Sequence, residues 1–225
     1  MNRKEIKARA KELVKGRLWD FWKGYLLYGI LIGIISSAFE IILRVDSLKA
    51  CLIPITIGNE TACYMTTGSL IVEIISGVVS VITAFLALGY VFYVMRYARN
   101  ESLDVNDIFK YKKMYIPTFL LIFFITLFTS LWSLLLIVPG IIASLSYTMS
   151  SYIYCDQELK PLECIKASKK MMKGHKWDYF IFNLSFVGWA ILGTFTFGLL
   201  YFWLIPYMTT ADVLYYDELK KLESN

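Results

Sequence analysis

The sequence predicts an all-α, polytopic membrane protein with six transmembrane helices, four of them arranged as two tight helical hairpins, plus amphipathic cytoplasmic helices at the membrane interface. Three observations predict it. Of the 225 residues, 57% are hydrophobic and 16% aromatic, and the mean hydropathy is +0.56, well outside the range of a soluble domain. Apolar tracts long enough to cross a bilayer recur along the chain. Between them, 21 of the 23 Lys and Arg residues fall in four short segments.

Residues 1–23 read as a cytoplasmic amphipathic helix. Asn2 with Glu5 three positions later is a capping-box pattern, and Ile6, Ala10, Leu13 and Val14 follow at helical spacing. Trp19, Phe21 and Trp22 suit the water boundary before the first span. The first two spans are expected at about 24–43 and 70–95, since crossing about 30 Å of hydrocarbon takes about 20 residues. A cleavable leader ending near Ser36-Ser37-Ala38 is not expected, because 23 residues precede the apolar run.

The tracts 117–154 and 179–216 hold 38 residues each. A single helix of that length would measure about 57 Å, nearly twice the hydrocarbon thickness. Each therefore folds back, at Pro139-Gly140 in one and between Gly193 and Gly198 in the other, which predicts spans at about 117–138, 140–154, 179–193 and 197–216. Charge agrees with this count. Six crossings leave only Arg44 and Lys49 on the far side and place both termini in the cytoplasm, as the positive-inside rule requires.

Between Pro161 and Gly174, Lys166, Lys169, Lys170 and Lys173 share one helical arc, while Cys164, Ile165, Ser168, Met171 and Met172 occupy the opposite one. With His175 and Lys176 these lysines are the candidates for binding lipid headgroups, the expected partners being membrane lipids of anionic type. A membrane-protein partner or a second copy of the chain fits the same surface. Nucleic acid does not, for the basic residues are scattered over membrane-adjacent segments without a recognition motif.

Cys51 and Cys63 lie in the long external loop and form a candidate disulfide in an oxidising compartment, whereas Cys155 and Cys164 lie on the cytoplasmic side. One histidine and no Cys-x-x-Cys pair predict neither a metal site nor a cofactor. Glu40, with Arg44 at i+4, suggests a local ion pair, and Glu73 can reach the surface. Gly29-x-x-x-Gly33, and Ser76, Ser80 and Ala84, are spaced for close helix packing. The return arms of both hairpins are rich in hydroxyls. Tyr147, Ser150, Ser151, Thr209 and Asp212 are the candidates for lining a small cavity where those arms meet.

Several stretches carry a family resemblance: Met1-Asn2-Arg3-Lys4-Glu5-Ile6-Lys7; Trp132 to Ile142 with Pro139-Gly140 inside it; Leu145 to Met149; and Met172-Lys173-Gly174-His175-Lys176-Trp177 followed by Leu184 to Trp189. Together they resemble the bacterial integral membrane family catalogued as domain of unknown function 975, which is distantly similar to the membrane domains of some glycerophosphodiester phosphodiesterases. The resemblance implies a multi-span protein of the bacterial cytoplasmic membrane with no established activity. No H-E-x-x-H, G-x-S-x-G or P-loop occurs, so the sequence predicts no enzyme. Two readings stand: a non-catalytic membrane protein engaging lipid or a protein partner, and a small transporter or exporter of an amphiphilic or lipid-like substrate.

Overall fold

The computed structural model describes residues 2–51, 55–57, 60–62, 70–104, 106, 108, 115–157 and 159–224. Its helices are α1 (Arg3–Val14), α2 (Leu18–Cys51), α3 (Leu70–Ala98), α4 (Tyr115–Leu135), α5 (Ile137–Tyr147), α6 (Ser150–Gln157), α7 (Pro161–Met171), α8 (Lys176–Phe195) and α9 (Tyr201–Ser224). One short antiparallel ribbon interrupts this all-α plan, β1 (Ile55–Ile57) pairing with β2 (Glu60–Ala62) between α2 and α3. Among the described residues four stretches are long and apolar enough to cross a membrane: Leu18–Ile41, Ile74–Ala98, Ile116–Leu134 and Lys176–Phe195. The arms expected at 140–154 and 197–216 are not among them. The first is divided into α5 and α6, and α9 carries Thr209, Thr210, Asp212, Asp217, Glu218, Lys220 and Lys221, which lower its hydropathy.

The helices pack in antiparallel pairs. Between α2 and α3, Tyr28 stacks on Tyr90 with ring centroids 4.9 Å apart, and Phe21 meets Tyr97 edge-on at 5.4 Å. Gly24 has no side chain where the Tyr93 ring lies, and the Tyr93 hydroxyl donates to the Asp20 carbonyl. By contrast Gly29 and Gly33 have nothing within 4 Å, so their small-residue face is left open.

The reversal after α4 comes at Leu136, whose backbone is extended (φ −163°, ψ 148°), three residues before the expected Pro139-Gly140. Proline lacks the N–H that a first helical turn leaves unused, so Pro139 sits inside the opening turn of α5 without breaking it. Gly140 then fits against Ser133, where a Cβ would lie 2.8 Å from the Ser133 Cα. Phe128 beside Tyr147 and Thr118 beside Tyr154 keep α5 and α6 running back along α4.

A second turn lies between α8 and α9. Gly198 adopts φ +87°, a left-handed conformation that glycine alone enters freely, and Gly193 makes room for the ring of Tyr201. The Tyr201 hydroxyl donates to the Ala190 carbonyl at 2.7 Å, and Phe186 meets Tyr207 at 5.4 Å. α9 also packs against the α2–α3 pair. Its first turn stacks Phe202 on Trp22, while Asp217, about 22 Å further along, binds Arg99 just beyond α3.

Pro206 sits inside α9 and donates nothing to the carbonyl four residues back, that of Phe202. The indole Nε1 of Trp22 fills that vacancy, donating to the Phe202 carbonyl at 2.9 Å.

The amphipathic helices depart from expectation in what covers them. On α1 the Asn2 side chain accepts from the Glu5 N–H as predicted, but Ile6, Ala10 and Val14 are buried in the same apolar cluster as Leu214 and Leu219 of α9. On α7 the predicted apolar arc of Cys164, Ile165, Ser168, Met171 and Met172 is buried against α4, α5 and α6. Protein, not lipid, therefore covers both greasy faces.

Candidate functional site

Two of the predicted headgroup lysines and one predicted cavity residue converge on a single cleft. On α5, Pro139, Ile142, Ala143, Ser146 and Tyr147 recur at i, i+3, i+4, i+7 and i+8, which lines them along one face. Trp132 of α4 faces the same opening, and Lys169 from α7 and Lys176 from α8 complete the wall of a cleft of about 190 Å³. Ser168 anchors the arrangement, donating from its buried hydroxyl to the Ser146 carbonyl at 2.8 Å and thereby fixing α7 on α5. Gly174, at φ +87°, ends the α7 segment and turns the chain into α8, which brings Lys176 opposite Lys169.

The chemistry of this cleft is amphiphilic. Trp132, Ile142 and Pro139 form an apolar wall, and Trp132 and Ile142 are about half exposed. Neither Lys169 nor Lys176 forms an ion pair among the described residues. Two ammonium groups beside apolar surface suit an anion attached to a hydrocarbon.

The other predicted residues lie elsewhere. Lys170 is paired with Glu223 at 2.8 Å, and Lys166 and Lys173 are exposed beyond the cleft. His175 precedes α8 and is half-buried. Ser150 is fully buried on α6, and its hydroxyl has no partner among the described residues; the same is true of the Thr210 and Tyr90 hydroxyls. Thr209 bonds back to the Ile205 carbonyl of its own helix at 2.9 Å, and Ser151 is partly buried. Asp212 accepts from the Tyr179 hydroxyl at 3.2 Å between α8 and α9. The cleft thus takes Tyr147 from the expected cavity set but not Ser150, Ser151, Thr209 or Asp212. The Cys51–Cys63 pairing lies outside the described residues.

Where the return arms approach each other, aromatic and ionic groups join them in place of hydroxyls. Tyr152 stacks on Tyr216 at 5.6 Å, and the Tyr216 hydroxyl donates to Asp156 at 3.0 Å. Arg99 binds Asp156 at 2.7 Å and Asp217 at 2.7 Å, and Lys220 also contacts Asp156. Burial alone would raise the Asp156 carboxyl, but hydrogen bonds from Arg99 and Lys220 outweigh it and hold the group below the usual carboxylate value. Burial likewise opposes the charge on Arg99, and the two carboxylates more than restore it.

Trp132, Ile142 and Ala143 were missed as site residues, although the α5 stripe is readable as a helical period. The Arg99 cluster had only a weak signal, the acids that close each return arm.

These features define a class first: a helical protein whose apolar helices suit a membrane, with a basic amphiphilic cleft. Residues 134–223, from the end of α4 through α9, match the family described as "Protein of unknown function (DUF975)", as the sequence motifs had implied. No curated protein and no solved structure matches the chain.

Proposed function

We propose that this is a non-catalytic, multi-pass protein of the bacterial cytoplasmic membrane that binds an anionic lipid in the cleft between α4, α5, α7 and α8. Both termini lie in the cytoplasm in this reading. The distribution of basic residues supports that topology. So does the Arg99 cluster, which draws the chain just beyond α3 together with the end of α6 and the C-terminal part of α9.

The observation that carries the lipid reading is the meeting of Lys169 and Lys176 with the apolar face of α5 in one cleft. Each basic residue near an anionic headgroup contributes about 1 kcal/mol. Replacing both with Gln should therefore weaken phosphatidylglycerol binding about 30-fold, measured by lipid titration of the detergent-solubilised chain under native mass spectrometry. Lys166→Gln with Lys173→Gln removes the same charge outside the cleft and should change binding by about twofold at most. Equal losses in the two pairs would refute a specific cleft.

A second reading, export of an amphiphile, draws on Asp212, a carboxylate held between α8 and α9 by Tyr179. Under it Asp212→Asn abolishes substrate flux in reconstituted vesicles; unaltered flux removes Asp212 from any coupling role.

A further inference from the structure

A second basic cleft opens on the other side of α8, between that helix and the first turns of α1. Arg3, Lys4 and Lys7 supply its charge, Phe182 and Ile181 its apolar floor and Ser185 a hydroxyl, around a volume of about 380 Å³. At about 100° per residue, Ser185 points about 180° away from Lys176, so the two clefts face opposite sides of one helix.

Charge here is concentrated and incompletely neutralised. Arg3 is held by Asp178 at 3.2 Å, whereas among the described residues neither Lys4 nor Lys7 has a carboxylate partner. Lys7 is set over the rings of Phe186, at 4.5 Å, and Phe182, at 5.5 Å, and its ammonium contacts the Ser185 hydroxyl. That position is built rather than incidental, because Ile6 and Ala10 on the same helix are buried beside it and fix α1 in place. Burial and the neighbouring Arg3 both push the Lys7 ammonium below its ordinary pKa, so an arriving anion relieves an existing electrostatic cost.

We infer that this α1–α8 cleft binds a phosphate group carried by a ligand with an apolar portion, with Lys4 and Lys7 gripping the phosphate, Arg3 steadied beside it by Asp178, and Phe182 and Ile181 beneath the apolar part. Ser185 holds the Lys7 ammonium in the cleft wall. The chemistry is that of a phosphodiester headgroup, and the exposed Trp189 and Leu192, four and seven residues past Ser185 on the same face, extend the apolar surface away from the cleft along α8.

The test uses the full chain carrying Lys169→Gln and Lys176→Gln, so that the first cleft is silent and the outcome is independent of it. Phosphatidylglycerol is titrated into the detergent-solubilised protein and bound lipid is counted by native mass spectrometry. Adding Lys4→Gln and Lys7→Gln should lower the remaining affinity about 30-fold. Adding Lys11→Gln and Lys15→Gln, an equal loss of charge on exposed positions of the same segment, should change it by about twofold at most. Equal effects from the two pairs would overturn the site. Because Lys7 also steadies α1, the exposed Lys4→Gln is measured alone: about a fivefold loss with unchanged melting supports the site, and no loss overturns it. Competition by soluble glycerol phosphate would identify the phosphate group itself as the feature recognised; its failure to compete, with phosphatidylglycerol still bound, would identify a lipid-borne phosphate.

Discussion

Replacing Arg99 with Ala removes a cation that binds both Asp156 and Asp217. Breaking a buried ion pair from one side costs about 3–5 kcal/mol. Here the Arg99 side chain retains 28% exposure and Asp217 22%, while Asp156 retains only 9% and keeps Lys220 and Tyr216. Discounting for that exposure gives about 2–3 kcal/mol, or a melting shift of about 5–10 °C for a chain of this size. The assay is thermal unfolding of the detergent-solubilised protein followed by tryptophan fluorescence at pH 7.5, with Lys23→Gln at the exposed Lys23–Asp20 pair as the control expected to move little.

The pH dependence has a definite sign. Asp156 is held below its unfolded value of about 3.9, so its contribution is complete above about pH 4 and is lost as pH falls through the folded value. The gap between wild type and Arg99→Ala should therefore be constant from pH 5 to 8 and narrow below about pH 4. A melting temperature within 1–2 °C of wild type at pH 7.5 (about 0.5 kcal/mol or less) would show that the cluster does not hold these helices together.

Two further outcomes follow from the packing. Trp22→Phe keeps much of the stack on Phe202 but removes the donor to its carbonyl, and should cost about 1 kcal/mol in the same melting assay, whereas an unchanged curve would mean that carbonyl needs no partner. Cys164 is buried and burial pushes its thiol up to about 11, so at pH 8 its thiolate is about a thousandth of the total and maleimide should label it only after denaturation; rapid labelling of the native protein would refute the docking of α7.

Local patterns were legible where the cause was local. Asn2 and Glu5 sit within one turn and the helix start followed from them; the two arcs of α7 came from periodicity alone; Gly198 marked a left-handed turn because that backbone conformation excludes most other residues. The Leu136 reversal was not readable, because proline signals both a break and a tolerated first turn, and packing of Gly140 on Ser133 decided between them. Nor could composition tell whether the apolar faces of α1 and α7 meet lipid or protein, since both present the same hydrocarbon. The site was half visible: basic residues announced Lys169 and Lys176, but their company with Trp132 depends on how α4, α5, α7 and α8 dock.

The Trp22 contact makes positions 22 and 206 energetically interdependent, although 183 residues separate them in sequence. With proline in place, the indole has an acceptor that no amide of α9 claims. Restoring a main-chain donor by Pro206→Ala would give that oxygen a rival suitor and leave the indole N–H to compete for it, so the effects of changing the two positions should not be additive. A change that repairs the helix taken alone thus weakens the joint between the two ends of the chain.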